Sequence, residues 1–168
     1  MKRPYRLLSL DTSTVHTGWA VFEAGVLSEH GVIDSAKEGD KEVRFQSMCL
    51  SLWKLLNTYR PGTVVIETTA VTRNAYIQRS LTEILGIVRM WTFLHKKEFV
   101  SYVPGQWRRL VSSIQIPKNR KDLKKWSMDT VKDIYSISAS DDECDAILIG
   151  QARINEINEY LKEIGSVR

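Results

Sequence analysis

Residues 5–33, YRLLSLDTSTVHTGWAVFEAGVLSEHGVI, decide the fold of this 168-residue chain. Tyr5 to Asp11 reads as a short apolar strand, and His16 to Glu23 and Val26 to Ile33 read as two more, turning at Ala24-Gly25. Three strands this closely connected make a meander. From Lys41 the period changes: Phe45, Cys49, Leu52, Trp53 and Leu56 recur at helical spacing, and Pro61-Gly62 ends the helix. Thr63 to Glu67 is apolar without alternation, as expected of a central strand covered on both faces. Asn74 to Lys97 is the longest helical candidate, with Ile77, Leu81, Ile84, Leu85, Val88 and Trp91 on its principal apolar face. A second face carries Ile87, Met90, Phe93 and Leu94, and a helix apolar nearly all round is buried on two sides. Either a second copy of the chain or the C-terminal helix would cover that face. Val100 to Val103 forms a fifth strand, followed by a short helix from Pro104, a loop around Ile116-Pro117 and a helix from Asn119 to Tyr135. A final helix begins near Ser140, whose hydroxyl caps a first turn of Asp141, Asp142 and Glu143. The order βββαβαβ followed by helices predicts an α/β fold: a five-stranded mixed sheet flanked by helices on both faces.

The hydrophobic content of 43% suits one compact domain over residues 1–168. No apolar run is long enough to span a bilayer and the N-terminus lacks a secretory core, so the expectation is an intracellular protein. Cys49 and Cys144 lie far apart, each in an apolar helical pattern, and read as reduced core thiols. The net charge is +4. Between Pro104 and Trp126, however, seven basic residues (Arg108, Arg109, Lys118, Arg120, Lys121, Lys124 and Lys125) face Asp122 alone. Such a segment is either a phosphate-backbone contact or a solvated helical face.

Four acidic residues stand out against this framework. Asp11 ends one apolar strand beside Thr12, Ser13 and Thr14, where side chains at strand carboxyl ends line crevices in open sheets. Taken singly it also suits a turn. Glu67 ends Val-Val-Ile, and a carboxylate in so buried a strand needs a cation or hydrogen-bond donors. Asp142 and Asp145 lie three apart, on one helical face. Asp141, Asp142 and Glu143 equally suit helix N-terminal charges, whereas Asp145 lies deeper. Carboxylates from three elements make a hard-cation site that takes Mg²⁺ or Mn²⁺ together with phosphate.

Leu10-Asp11-Thr12-Ser13 with Gly18-Trp19-Ala20, then Val64-Val65-Ile66-Glu67, then Asp142-Glu143-Cys144-Asp145-Ala146-Ile147, resembles the RuvC Holliday junction resolvases, particularly their compact bacteriophage-type members. The resemblance spans nearly the whole chain in order and spacing. It implies an RNase H-like fold, a homodimer, and hydrolysis of phosphodiester bonds in four-way or other branched DNA, in the cytoplasm of a bacterial cell or phage-infected host. It assigns Asp11, Glu67, Asp142 and Asp145 to two Mg²⁺ or Mn²⁺ ions about 3.5 to 4 Å apart, with Asp11 bridging. Lys121 matches a basic residue near the scissile phosphate, with Arg120 and Lys118 as competitors for that register. Arg73, Arg108, Arg109, Lys118, Arg120, Lys121 and Lys124 become candidate DNA contacts. The family's bacterial members place a base-stacking aromatic three residues after the strand-ending Glu; here that position is Ala70, which favours a looser range of branched substrates.

Two other readings remain. A related nuclease acting on structured RNA would carry the same carboxylates, although the wide-striped helix and the Asp-x-x-Asp ending favour the resolvase. A branched-DNA-binding module without catalysis would not need all four acids. A two-lobed sugar kinase is too large for this chain. His16, His30 and His95 are not required as bases, and of the five tryptophans only Trp107, set between Gln106 and Arg108, is expected to stack on DNA.

Overall fold

The structure, a computed structural model, describes residues 5–37, 39–68, 73–112 and 116–165. Its elements are β1 (Arg6–Asp11), β2 (His16–Glu23), β3 (Val26–Asp34), α1 (Lys41–Tyr59), β4 (Thr63–Glu67), α2 (Ala75–Leu94), β5 (Glu98–Tyr102), α3 (Pro104–Val111), α4 (Arg120–Tyr135) and α5 (Asp141–Gly165). The five strands form one mixed sheet in the order β3-β2-β1-β4-β5. The β1-β2-β3 meander is antiparallel, with Ala24 and Gly25 both at positive φ in the turn between β2 and β3. This is the backbone twist that joins adjacent antiparallel strands tightly. β4 and β5 then pair parallel to β1 and β4 respectively, each reached through a helix.

Strand alternation divides the core into two layers. Leu8, Leu10, Val64 and Ile66 face Met48, Leu52 and Leu56 of α1 and Ile84, Val88 and Trp91 of α2. Leu7, Val65 and Phe22 face the opposite layer, built from Trp107 of α3, Val131 of α4 and Cys144, Ile147 and Leu148 of α5. Helices therefore cover both faces, as the strand pattern predicts. The helix starts follow their capping residues. Asp40 and Asn74 accept two backbone N–H groups each at α1 and α2, and Asn119 accepts one at α4. Ser140 and Glu143 cap α5 reciprocally, with Ser140 N–H donating to Glu143 at 3.0 Å and Glu143 N–H to Ser140 Oγ at 3.4 Å.

Two expectations change. The fifth strand starts at Glu98 and ends at Tyr102, because its register is set by pairing with all of β4 from Thr63 to Glu67. The C-terminal helix does not cover the second face of α2: α5 packs on the other side of the sheet. Phe93, Leu94 and Met90 are instead 78%, 60% and 55% exposed. Cys49 and Cys144 are both free thiols in helices, as expected. Among the described residues no helix is long and apolar enough to cross a membrane.

Candidate active site

Asp11 and Glu67 end adjacent parallel strands, one step beyond the paired Leu10 and Ile66. By alternation both fall on the face that α5 covers, since Leu7 and Val65 of the same parity pack there. The approach of α5 depends on residues without bulk. Gly18 is paired with Asp11 across β1 and β2, and a Cβ at Gly18 would lie 1.9 Å from the Asp142 carbonyl oxygen. Further along α5, a Cβ on Gly150 would lie 2.2 Å from the Phe22 ring and 2.7 Å from Ser9 Oγ. Ser9 Oγ donates to the Ala146 carbonyl at 2.7 Å, which fixes the helix over β1. The start of α5 is thereby held against the carboxyl end of β1.

The electrostatics report the resulting convergence. The Asp11 carboxyl is pushed well above its ordinary value by burial first, then by the negative charges of Asp145, Glu67 and Asp142, with Arg108 acting in opposition. Burial also raises Glu67, against the Trp107 N–H and the Arg108 charge. Asp145 is raised by burial while the Ser127 hydroxyl and Arg108 lower it. Asp142 is raised by burial and by Asp141, with His16, Lys124 and Arg120 opposing. Like charges this near repel. Among the described residues no three ligating side chains are drawn into a closed set; Glu67 instead accepts from Trp107 Nε1, and Asp145 from Ser127 Oγ at 2.5 Å.

The acidic start of α5 sorts itself by partner. Asp141 pairs with Lys124, which holds its carboxyl below the ordinary range. Glu143 bonds His30 Nδ1 at 2.8 Å and caps Ser140; although burial raises it, these bonds bring its carboxyl below the usual value. Of the three, Asp142 is the one whose charge raises Asp11. The donor set of Asp11, Glu67, Asp142 and Asp145 is all carboxylate oxygen, which fits a hard divalent cation.

The basic candidates divide similarly. Arg108 belongs to the site: it is 16% exposed, with Nη2 at 4.0 Å from Glu67 Oε2 and its guanidinium 4.5 Å over the Trp107 ring. Its Nε is buried without a hydrogen-bond partner among the described residues. Arg109, Lys118, Arg120, Lys121 and Lys124 lie at the surface on or beside α3 and α4, and Arg73 is exposed just before α2. Arg120 and Lys124 act on Asp142. Ala70 lies outside the described residues. Tyr76 donates to the Lys41 carbonyl at 3.2 Å, with the Lys41 ammonium 5.5 Å from its ring. Trp107 does not stack on DNA: it is fully buried beneath the site, because its ring fills the α3 layer of the core and its N–H is taken by Glu67. Neither the Trp107–Glu67 nor the Ser127–Asp145 contact has a spacing signature in the sequence.

No protein-family model matches the chain. The crossover junction endodeoxyribonuclease RuvC of Prochlorococcus marinus strain MIT 9301 is 24% identical over 158 residues, covering 90% of this chain and 97% of that protein. Its counterpart from strain MIT 9312 is 24% identical over 160 residues, with the same coverage. Among solved structures, Thermus thermophilus RuvC in complex with Holliday junction substrate matches at a TM-score of 0.73 and 16% identity, over 92% of this chain and 96% of that one. The Fowlpox virus resolvase bound to Holliday junction DNA matches at a TM-score of 0.62 and 13% identity, over 90% of this chain and 98% of that one. The chain is RuvC-like in sequence and has the RNase H-like fold of these proteins.

Proposed function

We propose that this RuvC-like chain is a divalent-metal-dependent endodeoxyribonuclease that resolves four-way DNA junctions by paired nicks and also cuts other branched DNA. The observation that supports the reading is that Asp11 and Glu67 end adjacent parallel strands with the start of α5 seated on Gly18 beside them, so that the charges of Asp145, Glu67 and Asp142 all act on Asp11. Four carboxylates so placed are unfavourable unless cations join them. Asp11, Glu67, Asp142 and Asp145 would hold two Mg²⁺ or Mn²⁺ ions. Bound there, divalent metal would supply Lewis-acid activation of a water for attack on phosphorus and charge stabilisation at the leaving oxygen.

The chain's own groups have distinct tasks around that chemistry. The Arg108 guanidinium offsets the negative charge of Asp11, Glu67 and Asp145. Arg109, Lys118, Arg120 and Lys121 present positive charge to the DNA backbone from the same flank of the fold, with Lys121 nearest the scissile phosphate in our assignment. Lys124 is committed to Asp141 and contacts phosphate only by leaving that pair. Arg73 reaches the junction from the start of α2. The absence of an aromatic side chain at Ala70 supports the broader substrate range. We assign the homodimer to the second face of α2, where Met90 and Ile87 join Phe45, Cys49, Leu50 and Trp53 in an open groove of about 690 Å³. Two-fold pairing would give each of two opposed strands its own site.

The test is a mobile synthetic four-way junction incubated with Mg²⁺ or Mn²⁺, with nicks mapped on all four strands. Paired symmetric cuts across the crossover are expected, and single flap-like cuts would overturn the resolvase reading. A structured RNA in a parallel reaction should stay intact; its selective cleavage would favour an RNA-processing role. Asp145→Asn should keep junction binding and lower cleavage by at least about a hundredfold, the upper range for loss of even an outer-shell metal partner. Unchanged cleavage would remove Asp145 from the mechanism.

A further inference from the structure

We propose that Trp107 and Ser127 are positioning residues for the metal site, orienting Glu67 and Asp145 by hydrogen bonds from behind. The proposal rests on the metal-nuclease reading above. A buried indole N–H can only donate and requires an acceptor. In Trp107, fully buried on α3, that acceptor is Glu67 Oε2. Ser127, 2% exposed on α4, places its hydroxyl 2.5 Å from Asp145 Oδ1. In each case one carboxylate oxygen accepts from protein and, among the described residues, the other accepts no side-chain hydrogen bond and is open to a cation. The terminal torsion of a carboxylate is broad, so without such a donor the group samples orientations that do not bind.

The two donors form one unit. Trp126, the residue before Ser127, packs against Trp107 with ring centroids 6.2 Å apart and planes tilted by 39°. The α3 and α4 layer thus sets two carboxylates from different elements, one at the end of β4 and one on α5. Packing alone does not call for these donors, since apolar contact at either position needs no N–H or O–H aimed at an acid. Partners of this kind raise metal affinity by fixing the orientation of the ligand.

The experiment is a Mn²⁺ titration of the full chain, followed by the EPR signal of free Mn²⁺, for wild type, Trp107→Phe and the isosteric pair Ser127→Thr and Ser127→Val. Thermal melts and metal-free junction binding serve as controls for the fold. Trp107→Phe and Ser127→Val should each weaken Mn²⁺ binding about 10- to 100-fold, the range for outer-shell partners, while Ser127→Thr stays within about threefold of wild type. Saturating Mn²⁺ should restore most of the cleavage rate. In a Glu67→Gln background, Trp107→Phe should add less than about a twofold effect, because the carboxylate it orients is gone. Wild-type affinity in both Trp107→Phe and Ser127→Val overturns the proposal, as does an equal loss for Trp107→Phe with and without Glu67. If Trp107→Phe melts early, the Ser127 pair alone decides. A wild-type protein that takes up no Mn²⁺ overturns the metal-nuclease reading itself, a result distinct from uptake that the variants leave unchanged.

Discussion

Burial and three like-charged neighbours raise the Asp11 carboxyl well above its ordinary value, so without metal the folded state holds this proton more tightly than the unfolded chain does. The sign follows from linkage: where the folded state binds more protons, stability falls as pH rises. The fall begins near the ordinary value of 3.8 and ends at the raised folded value. Glu67, Asp142 and Asp145 act in the same direction. Asp141 acts oppositely, since Lys124 lowers it and its contribution disappears as pH falls. Calorimetry of metal-free Asp11→Asn at neutral pH should therefore show a higher Tm than wild type, by about 2–4 °C for each kcal/mol of repulsion relieved. Mn²⁺ should raise the Tm of wild type more than that of Asp11→Asn. At this scale the sequence is informative where a residue type is out of place: a carboxylate ending an apolar strand, as at Glu67, calls for a donor or a cation, and the fold supplies Trp107 and Arg108. It is silent where the residue type is ordinary. Ser127 looks like any helical serine until α4 is laid against α5, and Trp107 looks like a stacking platform until α3 is turned inward.

At the scale of elements, the packing of α5 on β1 and β2 decides whether the site forms. Gly18 and Gly150 each occupy a point where one methyl group would push the helix away. Gly18→Ala should cost about 1–3 kcal/mol in urea unfolding, the usual range for overpacking, and should cut cleavage more severely than Gly150→Ala because it displaces Asp142 directly. Equal effects of the two on cleavage would count against Gly18 as the spacer for the site. The strands β2 and β4 run between the residues where apolar runs and turn residues place them, because those signals are local. The start of β5 is harder to read, since Glu98 joins the strand through its pairing with Thr63. The partner of the α2 apolar stripe is likewise illegible: periodicity reveals a second face but not the side of the sheet on which α5 lies.

At the scale of the whole molecule, the exposed side of α2 and the basic flank of α3 and α4 define two different surfaces. Met90→Lys with Phe93→Lys should leave the fold intact, since both residues are exposed, and should shift sedimentation at micromolar concentration from dimer to monomer. Paired cutting should give way to independent nicks. A wild type that sediments as a stable monomer would remove this interface. On the basic flank, Arg109→Ala with Lys121→Ala should reduce the slope of log affinity against log salt by about 0.9 for each phosphate no longer neutralised, with little change in Mn²⁺ binding. A slope equal to wild type would exclude both residues from binding the DNA backbone.

The site draws on β1, β4 and α5, with α5 following every strand in the chain. A ribosome-bound fragment that has already built the entire sheet still lacks Asp142 and Asp145. Such a fragment lacks half of the carboxylates on which the proposed nuclease depends while it sits among nucleic acids. In refolding, sheet formation should precede the first detectable cut, with the delay set by the docking of α5 against Gly18.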